Sequence, residues 1–324
     1  MASLSLEKDI PTLTIDGEGI KLPCIERPVS PINFPRIESG ISSNGKGQDW
    51  CTHFNNNDGQ LMVVCDGHGT DTVIDRIRNF DFGKFCENIK DLEPETVINE
   101  VQKVTDTPDT IQVGKIGRNS GSTITVVVAT TNNIKIAWLG DSSALLFKDF
   151  ELILTTREHS STQDSEGIKY ISEKNNGKDP CISSYSCQVG NTGKMEQIWK
   201  PYIKHANYLQ GTVDNCALTR ALGHGGHTYG IPEKITIPID SNSSWKLIIA
   251  SDGLHDVIGK SQEDLAIISQ MSADELVNIA TYRWSKDFKW LFVPHGDEES
   301  FYTNFNENDA DDVVVSIWER IVDN

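Results

Sequence analysis

Leu61-Met62-Val63-Val64-Cys65-Asp66-Gly67-His68-Gly69 is an apolar run of strand length that ends abruptly in a carboxylate, an imidazole and two glycines. Five consecutive apolar side chains leave no polar face, so the run suits a strand covered on both sides. The glycines let the backbone turn sharply and approach a ligand closely. The same design recurs downstream. Leu139-Gly140-Asp141-Ser142-Ser143-Ala144 is a tight turn between two strand-like runs, and Leu247-Ile248-Ile249-Ala250-Ser251-Asp252-Gly253-Leu254-His255-Asp256 mirrors the first stretch. Asp309-Ala310-Asp311-Asp312 opens a last valine-rich run, and Gln48-Asp49-Trp50 precedes the first strong one. Several strand ends can thus pool carboxylates, although one Asp-Gly alone is an ordinary turn dipeptide.

Around these stretches the chain reads mostly as short β-type segments rich in Val, Ile and Thr: Gln60–Cys65, Ser122–Thr130, Ile134–Leu139, Ala144–Phe147, Trp245–Ala250 and Val313–Trp318. Thr130-Thr131-Asn132-Asn133 has hairpin length and turn chemistry, which predicts an antiparallel pair across it. Helices are predicted over Asp71–Arg78, Glu93–Val104 and Ser272–Ser285, the last opened by a Ser272/Glu275 capping box. Strands and helices mix without βαβ alternation, so the fold class is α+β. Residues 1–36, with Pro11, Pro23, Pro28, Pro31 and Pro35, read as an extended lead-in, and 37–324 as the working domain. Ser160–Lys194 is polar and reads as a long surface loop.

The 324 residues, 37% apolar and 23% charged, have the composition of a soluble globular protein. A formal charge of −18, without any basic cluster, argues against nucleic-acid partners and membrane surfaces. It also supplies the carboxylates that hard divalent cations require. Seven cysteines are scattered without a CxxC pair, which fits a reducing compartment. Glu7, Lys8 and Asp9 interrupt any signal-peptide core, and no apolar run has membrane-spanning length. The expected location is intracellular, in the cytoplasm, with the nucleus also open; the oligomeric state is not readable.

Taken in order, Asp66-Gly67-His68-Gly69, Ser120-Gly121-Ser122-Thr123, Gly140-Asp141-Ser142, Leu218-Thr219-Arg220-Ala221-Leu222-Gly223, Ala250-Ser251-Asp252-Gly253 and Asp311-Asp312 before a valine strand resemble the motif series of the PPM (protein phosphatase 2C-like) metal-dependent serine/threonine phosphatases. The resemblance implies a β-sandwich of two mainly antiparallel sheets flanked by helices, four layers αββα, with the site at one end. It implies Asp66 as the catalytic carboxylate bridging two divalent cations, Mn²⁺ or Mg²⁺, with the Gly67 carbonyl as a further ligand. Asp252 and Asp311 would complete the first metal, and Asp49 would act directly or through water. Oxygen-only ligation suits these cations better than Zn²⁺. His68 would be the general acid, Glu158 a candidate for a third metal, and Asp141 a support. The implied reaction is direct attack of metal-bridging water on a phosphoserine or phosphothreonine monoester of a protein substrate, without a phosphoenzyme.

Two departures stand out. Asn44 occupies a position where the family often has a phosphate-binding arginine, leaving Lys46 as the substitute. His224-Gly225-Gly226-His227 replaces the usual aspartate; two histidines without a cysteine or third histidine beside them fall short of a zinc signature, and a flexible loop is expected. The alternatives are a catalytically impaired binding or regulatory module (a pseudophosphatase) and a small-molecule phosphohydrolase.

Overall fold

A computed structural model describes residues 35–42, 47–110, 120–174, 177, 182–190, 200–207, 212–258, 262–286, 288–294, 301–304 and 311–322. The chain divides into two units, Met1–Asn33 and Phe34–Asn324, and every described residue falls in the second. Of the lead-in expected over 1–36, only Pro35 and Arg36 are described, and Arg36 already begins a strand.

Two five-stranded antiparallel sheets carry the fold. One runs in the order Arg36–Ser42, Val313–Arg320, Trp245–Ala250, Ser143–Lys148, Glu151–Thr155. The other runs Glu233–Pro238, Asn133–Leu139, Ile124–Ala129, Gly59–Cys65, Trp50–Asn56. The expected hairpin is present, with Ala129 opposite Ile134.

Period-two alternation sorts these strands into layers. Met62 and Val64 join Val127, Ile136, Leu247 and Ile249 in a core between the sheets. Their neighbours Leu61, Val63 and Cys65 face the other way, into a cluster with Val73, Ile77, Val97 and Val101 of the helices Thr72–Arg78 and Pro94–Thr105. On the other sheet Ile248, Ala250, Val313 and Val315 pack with Leu276 and Trp284 of the helix Ala273–Lys286. The result is the four-layer αββα arrangement. Full burial of one Val, Leu or Ile stabilises by about 1.5–3 kcal/mol, and a one-residue slip would exchange the two faces of a strand, so register is tightly set.

The polar stretch Ser160–Lys194 differs from expectation. It contains a helix, Ser165–Lys174, and a strand, Ile182–Gly190, that belongs to a third five-stranded antiparallel sheet. That sheet is ordered Thr212–Cys216, Lys200–Asn207, Ile182–Gly190, Phe288–Pro294, Phe301–Asn304. Tyr185, Cys187 and Val189 do alternate with Ser184, Ser186 and Gln188, but serines and a glutamine mask the strand signal. A small three-stranded sheet, Leu222–Gly223 with Gly121–Ser122 and then Gly67–His68, ties three sequence motifs together. No helix among the described residues is long and apolar enough to cross a membrane.

Candidate metal centre

Asp66 stands where the Gly59–Cys65 strand ends, and its backbone is held on both sides: its amide donates to Thr123 Oγ1 (3.0 Å) and its carbonyl accepts from the Thr123 amide (2.9 Å). Thr123 Oγ1 and Ser142 Oγ share a hydrogen bond at 2.6 Å, and Thr125 Oγ1 donates to the Ser142 carbonyl (2.7 Å). The turn carrying Asp141 is therefore locked to the strand carrying Asp66. Beneath it, buried His159 accepts the Gly140 amide on Nδ1 (2.9 Å) and stacks on Trp138. Burial, reinforced by the charge of Arg220, holds His159 down at about 3, so it is a neutral acceptor at working pH.

The other sheet delivers Asp252 by a parallel device. The Ser251 amide donates to the Val314 carbonyl (3.1 Å), and the Val314 amide donates back to Ser251 Oγ (3.1 Å). At Gly253 an added Cβ would collide with the Asp312 carbonyl oxygen, so glycine is what lets the two strand ends close on each other. Trp284 Nε1 donates to the Gly253 carbonyl (2.6 Å), fixing the turn from the helical layer. Asp312 accepts the Gln48 amide (2.8 Å), and the Gly67 amide donates to the Gln48 carbonyl (3.2 Å), which draws the Gln48-Asp49 segment over the same end of the sandwich.

Asp66, Asp141 and Asp252 each place a carboxylate oxygen within 4.8 Å of the others. Asp49 is buried beside them, and its Oδ2 is an interior oxygen with no hydrogen-bond partner among the described residues. Burial above all, with the charges of Asp252 and Asp312, pushes the Asp49 carboxyl up to about 8 against a lowering hydrogen bond from Ser251. Asp66 is pushed well up by burial and then by the charges of Asp49, Asp252, Asp311 and Asp141. Carboxylates so crowded repel one another as anions, and an oxygen-rich set of this kind fits Mg²⁺ or Mn²⁺. The residues present therefore fit the divalent cations that the resemblance implies.

The sequence-derived residues fall as follows. Asp49, Asp66 and Asp252 converge, and exposed Asp311 acts on Asp66 through its charge. Gly67 is buried with them. Asp141, expected as a support, contributes an oxygen to the cluster itself. Glu158 is half-buried next to His159 and is not part of the three-carboxylate set. Lys46 and Asn44 lie outside the described residues. His68 is half-buried, with Nε2 2.6 Å from Nε2 of His224 and the two rings stacked.

The segment expected as a flexible loop is instead a pinned turn. The His224 amide donates to the Ser120 carbonyl (2.9 Å), the Gly225 amide to Thr110 Oγ1 (2.8 Å), and Tyr170 Oη to the Gly226 carbonyl (3.0 Å). Upstream, buried Arg220 grips Asp164 with two hydrogen bonds (2.8 and 2.7 Å) and donates to the Ile231 carbonyl (2.8 Å). The Thr219-Arg220 motif was visible in sequence, but Asp164 carried no signal there.

Residues 43–169, the span that carries Asp49, Asp66, His68 and Asp141, match the family model for protein phosphatase 2C. Over that span the chain is similar to protein phosphatase 2C. A probable protein phosphatase 2C of Arabidopsis thaliana (number 28) is 26% identical over 242 residues, covering 70% of this chain and 61% of that protein. The chain thus spans less than two thirds of that relative's length. Among solved structures, a sex determining protein of C. elegans superposes with a TM-score of 0.51 at 17% identity, over 89% of this chain and 65% of that one. A bacterial serine phosphatase superposes with a TM-score of 0.51 at 14% identity, over 90% of this chain and 100% of that one. At such identities the two structures speak for the fold alone.

Proposed function

We propose that this chain is a metal-dependent protein serine/threonine phosphatase acting on phosphoserine and phosphothreonine monoesters of protein substrates. The observation that carries the reading is the convergence of Asp66, Asp141 and Asp252, with buried Asp49, at one end of the sandwich. Asp66 would bridge two divalent cations, Mn²⁺ or Mg²⁺, aided by the Gly67 carbonyl. Asp252 and Asp311 would complete one of them, with Asp49 and Asp141 alongside. When bound, the cations supply an activated water nucleophile and neutralise the charge that builds on the phosphoryl oxygens.

The chain's own groups do the rest. The lock between Thr123 and Ser142 keeps two carboxylates in place, which spares the site reorganisation during reaction. His68, two residues past Asp66, presents an imidazole whose proton would go to the departing serine or threonine oxygen. Glu158 is the candidate for a third cation, and Lys46 for the substrate phosphate. An intracellular, cytoplasmic setting, expected from the sequence, belongs to the same proposal.

Phosphate release from a phosphothreonine peptide tests the reading, with Mn²⁺, Mg²⁺ or EDTA and with Asp66→Ala and Asp252→Ala beside the wild type. Turnover that needs metal and drops by at least about 100-fold in both variants is expected. A folded wild-type protein that is silent with every metal would instead support the binding-module alternative.

A further inference from the structure

Outside the carboxylate cluster, His68, Cys216 and His224 bring a ring nitrogen, Sγ and a ring nitrogen within 4.8 Å of one another, and the two histidines meet through Nε2 at 2.6 Å. Three different elements supply them: the Gly67–His68 strand, the end of the Thr212–Cys216 strand, and the turn after Leu222–Gly223. Cys216 is 7% and His224 5% exposed, so two of the three donors are interior. The partners missing beside His224 in sequence are thus provided by folding, from 8 and 156 residues away along the chain.

The surroundings are built for this meeting. At Gly121 an added Cβ would strike Nε2 of both histidines, so only glycine leaves room for the pair. His224 holds a positive φ of 51°, a conformation that costs a non-glycine residue energy and that its bonds to Ser120 and the pinned turn enforce. The Leu218 amide points at Cys216 Sγ (3.4 Å), an interaction that favours an electron-rich sulfur. Two imidazoles and one thiol form a soft, nitrogen–sulfur donor set, unlike the oxygen set around Asp66.

We propose that His68, Cys216 and His224 form a binding site for a single zinc ion, with the fourth position left to solvent or a substrate oxygen. Zinc–nitrogen bonds of about 2.0–2.1 Å set tetrahedral nitrogens about 3.3 Å apart. The present 2.6 Å separation therefore needs to open by less than about 1 Å, a side-chain adjustment. Binding uses a lone pair on each Nε2: the proton held between the two nitrogens moves to the Nδ1 of the ring that carries it, and the thiol proton of Cys216 is released. Occupancy ties up His68 Nε2, so zinc would remove the proton donor and suppress turnover. That consequence rests on the proposed phosphatase reading; zinc binding itself does not.

The test is therefore a binding measurement on the full chain, reduced and stripped of metal, with Mg²⁺ present in excess to fill the oxygen site. Zn²⁺ titration should find one tightly held ion per chain that Mg²⁺ does not displace. Co²⁺ as the probe should give a thiolate-to-cobalt charge-transfer band. Cys216→Ser should abolish the band and weaken zinc binding by at least about 100-fold. His224→Asn, a residue tolerant of the same backbone conformation, should weaken zinc similarly while keeping the fold. No retained zinc in the wild type, no thiolate band, or unchanged zinc affinity in both variants would each overturn the proposal.

Discussion

The Arg220–Asp164 pair shows how a single interior contact supports the site from a distance. Arg220 is 1% exposed, its guanidinium bidentate on Asp164 and stacked over Tyr229, while Thr219 Oγ1 also donates to Asp164 (2.6 Å). Burial pushes Asp164 up, but the hydrogen bonds from Arg220 and Thr219 and the charge of Arg220 outweigh it and hold the carboxyl at about 2. An unfolded aspartate titrates near ~3.9, so the folded state binds fewer protons between these values. The stabilisation is present above about pH 4 and is lost as pH falls through about 2. Asp164→Asn removes the bidentate counter-ion of the buried guanidinium, leaving it Glu166 (3.2 Å) and Glu233 (3.4 Å), and should cost about 1.5–3 kcal/mol in urea unfolding at pH 7, with the gap to wild type closing in acid. An unchanged urea midpoint at pH 7 would remove the pair from the account. Arg220 was legible as part of a motif; Asp164, 56 residues earlier in a polar stretch, was not, because a partner found only through folding leaves no local pattern.

Elements were legible where hydrophobic periodicity was strong. The runs at Gly59–Cys65, Ile124–Ala129, Asn133–Leu139, Trp245–Ala250 and Val313–Arg320 are strands, and the Ser272 capping box closes as expected, with the Glu275 amide donating to Ser272 Oγ (3.3 Å) and the Ser272 amide to Glu275 Oε2 (2.7 Å). The strand Ile182–Gly190 escaped because serine-rich sequence looks like loop until a neighbour pairs with it. The helix Ala273–Lys286 matters to the site through one residue. Trp284 is fully buried, and its Nε1–H satisfies the Gly253 carbonyl next to Asp252. Trp284→Phe keeps most of the apolar packing but orphans that carbonyl, so a loss of about 1–3 kcal/mol in urea unfolding and a weaker Mn²⁺ affinity are expected. Destabilisation without any change in Mn²⁺ affinity would show that the helix does not brace the Asp252 turn.

At the scale of the molecule, two sheets meet at one end and bring together carboxylates from separated stretches of chain. The sequence displayed each aspartate at its strand end, and the resemblance supplied their order; neither displayed their distances, nor that Asp141 would join them. The crowding has a thermodynamic signature. Folded Asp49 keeps its proton up to about pH 8, whereas the unfolded residue loses it near ~4, so the metal-free folded state binds more protons in this window. Its contribution is full below about pH 4 and is lost as pH rises through about 8. The Tm of EDTA-treated protein should therefore fall between pH 5 and 8, to about these limits, and Mg²⁺ at about 100 times its Kd should restore about 2.7 kcal/mol. A metal-free Tm that rises across this range would contradict the crowding. The most direct measurement of the central claim is anomalous diffraction from a crystal soaked in Mn²⁺. Two manganese peaks flanking the Asp66 carboxylate, one of them against Asp252, are the expected result; a well-ordered crystal with no peak beside Asp66 would contradict the account.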